Sequence, residues 1–92
     1  MGNNIINEIS KENLLTIVKN IRDKGGRLVA INGYVNKEKT NIVVYTLEYD
    51  DVREQYRIIG EDRIPTLTNI YKGAQWFEEE IKEMMPLKFE GL

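Results

Sequence analysis

The chain has 92 residues, 41% of them hydrophobic and 30% charged, with a net charge of −2 and neither histidine nor cysteine. One domain over residues 1–92 is expected, burying roughly 60–65% of the surface its unfolded chain exposes. The composition excludes disulfides, thiolate nucleophiles, zinc fingers and iron–sulfur ligation, removes the commonest general base, and supplies no basic field for nucleic acid or an anionic membrane. No cofactor or metal is therefore expected in this chain. The opening "MGNNIINEISKENLL" lacks the basic start and long apolar run of a signal peptide. No stretch approaches the ~20 apolar residues of a membrane span, so direct membrane insertion is not expected and a cytoplasmic location is.

The first predicted element is a helix over residues 10–24. Ser10 is placed to cap a first turn that carries Glu12, while Leu14, Ile17, Val18 and Ile21 recur at three- and four-residue steps as one apolar stripe. Gly25 or Gly26 supplies the left-handed stop. Next, "RLVAINGYV" and "NIVVYTLEYD" are rich in β-branched and aromatic residues and are joined by a polar "NKEKT", the pattern of an antiparallel pair. Val43, Tyr45, Leu47 and Tyr49 share one face of the second strand. "VREQYRIIG" alternates Val52, Tyr56 and Ile58 against Arg53, Gln55 and Arg57, as a half-exposed third strand would, after a short turn at Asp50 and Asp51.

In "IPTLTNIYKGA" Pro65 precedes Thr66, read as the cap of a single helical turn through Ile70. A longer helix runs from Ala74 to Met85, and Pro86 ends it. The predicted fold class is α+β: a two-layer sandwich in which a helix, a three-stranded antiparallel meander and a C-terminal helix follow in order, both helices on the same sheet face.

At ~100° per residue, Ala74, Phe77, Ile81, Met84 and Met85 share the arc of the last helix that packs on the sheet. Trp76, Glu80 and Glu83 stack as a ridge on one flank. Glu78 faces Lys82 on the other, as a weak helical ion pair, and Glu79 points most nearly outward. Adjacent glutamates on a convex helix do not make the two-carboxylate cleft of glycoside hydrolysis, nor does the chain contain an EF-hand loop. "DKGGRL" follows a helix instead of leading into one, which makes it a helix stop and not a phosphate loop. A solvated face is the default for the glutamates. A tryptophan outside the core stripe weighs toward a partner surface, with Trp76, Glu78, Glu80 and Glu83 as the candidate partner-binding residues.

"RIPTLTNIYKGAQWFEEEIKEMMPLKFEGL" resembles the signature region of the thirty-kilodalton subunit of NADH:quinone oxidoreductase (respiratory complex I) and its relatives in energy-converting nickel–iron hydrogenases. The matching residues are Pro65, Thr66, Leu67, Ala74, Trp76, Glu78, Glu80, Glu83, Met84, Phe89 and Gly91. The chain departs from the pattern at Glu79, usually arginine, at Glu83, usually aspartate, and at Pro86, usually glycine. It also stops where longer relatives continue, from which the resemblance implies the short form found among hydrogenase-type complexes more than the full respiratory subunit. The resemblance implies a noncatalytic structural and assembly subunit without a cofactor of its own. Its implied partners are the large catalytic subunit and the iron–sulfur subunits of the complex, and it implies peripheral attachment to the membrane on the cytoplasmic side. A free-standing interaction or regulatory domain that shares only the fold is the alternative.

Overall fold

A computed structural model describes residues 6–91. Its elements run β1 (Ile6–Glu8), α1 (Lys11–Asp23), β2 (Arg27–Val35), β3 (Asn41–Tyr49), β4 (Val52–Ile59), β5 (Arg63–Pro65), α2 (Ala74–Met84) and β6 (Lys88–Glu90). The class is α+β, with two helices and a mixed sheet.

Helix α1 forms where the apolar spacing places it, burying Leu14, Val18 and Ile21. Ser10 has the extended backbone of an N-cap, but its side chain makes no capping bond. The other end closes as a Schellman motif: Gly26 N donates to Ile21 O at 2.8 Å and Gly25 N to Arg22 O at 2.9 Å. Gly25 takes the left-handed φ of +83° that this closure requires.

Strands β2, β3 and β4 pair antiparallel in sequence, with Ile31 opposite Tyr45 and Tyr45 opposite Tyr56. The β3–β4 turn puts both Asp50 and Asp51 at positive φ, the conformation of a two-residue type I′ hairpin, which short polar side chains tolerate. The expected three-stranded antiparallel sheet needs correction. The sheet has four strands in the order β1-β4-β3-β2, and β1 lies parallel to β4 with Asn7 opposite Tyr56. Periodicity could not reveal β1, because all three of its side chains are exposed and its pairing is with residues far along the chain. A second, two-stranded parallel sheet joins β5 to β6 and returns the end of the chain to the segment before α2.

One apolar cluster combines Leu14, Val18 and Ile21 of α1 with Ala74 and Ile81 of α2 over Val43, Tyr45 and Leu47 of β3. Helix α2 crosses β2 at Gly33, where an added Cβ would stand 2.6 Å from Met85 Sδ and 3.3 Å from Ile81 Cγ1. The glycine thus sets how closely α2 approaches the sheet. The expected single turn through Ile70 forms after β5, at 68–70, with Ile70 N and Tyr71 N both donating to Leu67 O at 2.9 and 2.8 Å. The Thr66 hydroxyl does both jobs at its start, accepting the Thr68 amide at 3.2 Å as a cap would and donating to Glu78 of α2.

Candidate functional site

Helix α2 buries Ala74, Glu78 and Ile81, and Met85 follows as its buried C-cap. These positions recur at steps of four, three and four, so the buried stripe is centred between Ile81 and Glu78. Met84 lies roughly 90° from that centre at ~100° per residue, and it is 67% exposed. This corrects two expectations: Met84 leaves the core stripe, and Glu78 enters it. Phe77 is only partly buried against the cluster.

Glu78 is 4% exposed and makes no ion pair with Lys82. Its Oε1 accepts the Thr66 hydroxyl at 2.6 Å and the Thr68 hydroxyl at 3.4 Å, and its Oε2 accepts the Leu67 amide at 2.8 Å. The loop preceding α2 is prepared for this: Thr68 N donates to Thr66 Oγ1 at 3.2 Å, holding residues 66–68 in a tight turn around the carboxylate. A buried carboxylate satisfied by neighbouring donors fixes geometry, and this one ties the helix to the loop that leads back to β5. The signal in the sequence is position 78 itself, four residues after Ala74 and three before Ile81. A carboxylate is seldom assigned to a core stripe because it is almost never buried unpaired.

Beneath this network lies Tyr45, fully buried, with a hydroxyl that has no hydrogen-bond partner among the described residues. Burial first and the nearby Glu78 carboxylate second push that hydroxyl well above the ordinary tyrosine range.

The opposite face of α2 carries the other candidates. Trp76 is 71% exposed, and with Glu79, Glu80 and Glu83 it lines a shallow concavity of about 190 Å³. Of the four partner-binding candidates, Trp76, Glu80 and Glu83 are brought together on the surface. Glu78 is removed from that ridge: it is 4% exposed and does not line the Trp76 concavity. On the flank beside Glu78, a second cavity of about 170 Å³ is lined by Thr66, Thr68, Glu78, Glu79, Lys82 and Phe89. Glu79 lines both concavities, and it accepts Gln75 Nε2 at 3.3 Å. Among the described residues, no group of three or more acidic side chains is arranged to hold a metal ion. None of their helices is long and apolar enough to cross a membrane.

Residues 7–92 match the family described as the respiratory-chain NADH dehydrogenase, 30 Kd subunit. The C/D subunit of the NADH-quinone oxidoreductase of Bdellovibrio bacteriovorus is 32% identical over 99% of the chain, which covers 18% of that relative. The J subunit of the NAD(P)H-quinone oxidoreductase of Prochlorococcus marinus is 29% identical over 91% of the chain and 57% of its own length. A stretch covering 42% of the chain is 53% identical to the C/D subunit of the NADH-quinone oxidoreductase of a Sulfurihydrogenibium species, of which it covers 8%. The chain thus spans less than two thirds of each of these relatives.

Proposed function

The chain belongs to the 30 kDa subunit family of the respiratory-chain NADH dehydrogenase, and from that premise we propose that it serves as a noncatalytic docking subunit of an NADH:quinone oxidoreductase-type complex. In this reading it performs no redox chemistry. It holds the peripheral part of the complex together by presenting the exposed face of α2 to a neighbouring subunit.

The observation that carries this reading is the division of α2 into two faces. Ala74, Glu78, Ile81 and Met85 fix the helix to its own domain, while Trp76 stands 71% exposed beside Glu80 and Glu83. Tryptophan is enriched among interface residues that dominate binding, and a large apolar ring left in water on a well-anchored helix gains most by being covered. The flanking carboxylates fit a partner surface that supplies basic side chains or backbone donors.

The relatives bear on which neighbour that is. Two of them are named as C/D subunits, and the chain accounts for only 8 and 18% of them. A C-type module continuous with a D-type portion is a tethered pair, so we take a D-type subunit as the partner, in the place of the large catalytic subunit implied by the resemblance. Attachment to the membrane and contact with iron–sulfur subunits would then be indirect, through the complex, on its cytoplasmic side. Isolation of the native assembly through a tag on this chain tests the proposal. Co-purifying D-type and iron–sulfur subunits support it, and quinone-reductase or hydrogenase components among them assign the type of complex. A chain recovered alone under gentle conditions overturns it in favour of a free-standing interaction domain.

A further inference from the structure

We propose that the cavity beside Glu78 receives one basic side chain of the docking partner, an arginine guanidinium by preference. This rests on the docking reading and adds to it the chemistry by which the partner is recognised.

The cavity holds about 170 Å³, below the roughly 300–1,000 Å³ of sites that enclose a small-molecule ligand but sufficient for the end of a side chain. Glu78, 4% exposed, is part of its lining, and the three donors of its carboxylate are the Thr66 and Thr68 hydroxyls and the Leu67 amide, all neutral. A carboxylate offers about four lone-pair sites, so one acceptor position is left over. No Lys or Arg nitrogen among the described residues lies within ion-pairing distance of it. A buried anion held only by neutral dipoles is the place where an incoming cation gains most, because the surrounding low dielectric strengthens the pair and the cost of desolvating the carboxylate has already been met in folding.

The rest of the lining selects the form of that cation. Glu79 adds a second carboxylate at the rim, and Phe89 contributes an aromatic wall. A guanidinium is planar, forked, weakly hydrated and able to lie against an aromatic ring, whereas an ammonium is a compact, strongly hydrated charge. Lys82 is the one cation among the described lining residues, and it opposes the ligand. Its presence gives the proposal a sign that can be tested. The cavity also adjoins the docking ridge, since Glu79 lines both, so one partner segment crossing α2 can cover Trp76 and place a side chain here.

The test titrates N-acetyl-argininamide, with N-acetyl-lysinamide and N-acetyl-aspartamide as controls, into the isotope-labelled chain and follows backbone amide resonances. Argininamide is expected to shift Leu67, Thr68, Gln75 and Glu79 together, more strongly than lysinamide. Glu79→Gln should weaken it and Lys82→Ala strengthen it, each about 2- to 5-fold, the range of a partly exposed ion pair. Both positions are exposed, so neither variant threatens the fold. A response centred on Glu80 and Glu83, a stronger response to aspartamide, or weakening by Lys82→Ala overturns the proposal. Capture of the D-type subunit by the same variants separates the two readings. A silent cavity with capture that still depends on Trp76 overturns this inference alone; capture indifferent to both Trp76→Ala and Glu79→Gln overturns both.

Discussion

The Leu67 amide donates to Glu78 Oε2 at 2.8 Å, joining backbone and side chain eleven residues apart, and through this bond α2 is locked to the loop before it. Thr66 completes the lock through its hydroxyl. Glu78→Gln keeps the shape but replaces one acceptor oxygen with a donor that faces other donors, so the variant is expected to lose about 1–3 kcal/mol of stability. Denaturant unfolding measures it. A loss below about 0.5 kcal/mol would mean that the loop closes without the carboxylate.

Gly33 and Gly26 are the two described glycines at which an added Cβ would stand closer than 3.0 Å to a neighbouring atom. Gly33→Val puts a branched side chain where even a Cβ meets Met85 Sδ at 2.6 Å and Ile81 at 3.3 Å, pushing α2 off β2. A cost of about 1–3 kcal/mol is expected, as for other overpacked sites. Gly26→Ala should cost a similar amount, since its Cβ would stand 2.7 Å from the Ile21 carbonyl oxygen, which belongs to the backbone and cannot rotate away. Thermal melts of both variants check the packing independently of any partner.

The pH dependence of stability is set at both ends by named groups. Burial raises Tyr45 and Tyr56 first of all, with Glu78 and Glu54 respectively adding to the shift. A tyrosine raised in the folded state stabilises the fold fully below its unfolded value near ~10, and that contribution declines as pH rises from there toward the folded value. Alkaline unfolding should therefore begin above about pH 10, with the hydroxyls of Tyr45 and Tyr56 ionising only as the chain opens. At the acid end, hydrogen bonds from Arg27 and Arg53 hold Glu48 below the ordinary carboxylate value. That contribution is present above the unfolded value near ~4.3 and is lost as pH falls through the folded one. Glu48→Gln should flatten the acid side of the stability profile; ultraviolet titration of the wild type follows the alkaline side.

Much of the frame is legible in the sequence because it depends on local periodicity. The α1 stripe of Leu14, Val18 and Ile21, the two-residue Asp50-Asp51 hairpin and the alternation in β3 each follow from spacing that neighbouring residues determine. What is not legible depends on distant partners. Strand β1 is three exposed residues that become a strand only against β4, and β6 becomes one only against β5. At the candidate site, the exposed group Trp76, Glu80 and Glu83 follows from the helical wheel. Glu78 does not, because its burial depends on Thr66, Leu67 and Thr68 arriving from the turn before α2, ten to twelve residues away and outside the helix's own periodicity. With Glu78 left outside the stripe, the wheel gives Phe77 and Met84 too much of the core. Phe77→Ala is accordingly expected to destabilise less than Ile81→Ala, for which about 2–5 kcal/mol is the usual cost.

The central claim is that α2 folds with one face and binds with the other, and one paired measurement addresses it most directly: the affinity for the D-type subunit and the unfolding midpoint, for wild type and Trp76→Ala. An unchanged midpoint is expected, since a side chain that is 71% exposed contributes little to folding. The expected loss in affinity is about 2 kcal/mol or more, the effect of removing an interface hot spot. Undiminished affinity in a normally folded Trp76→Ala variant would contradict the account and leave the outer glutamates of α2 as a solvated face.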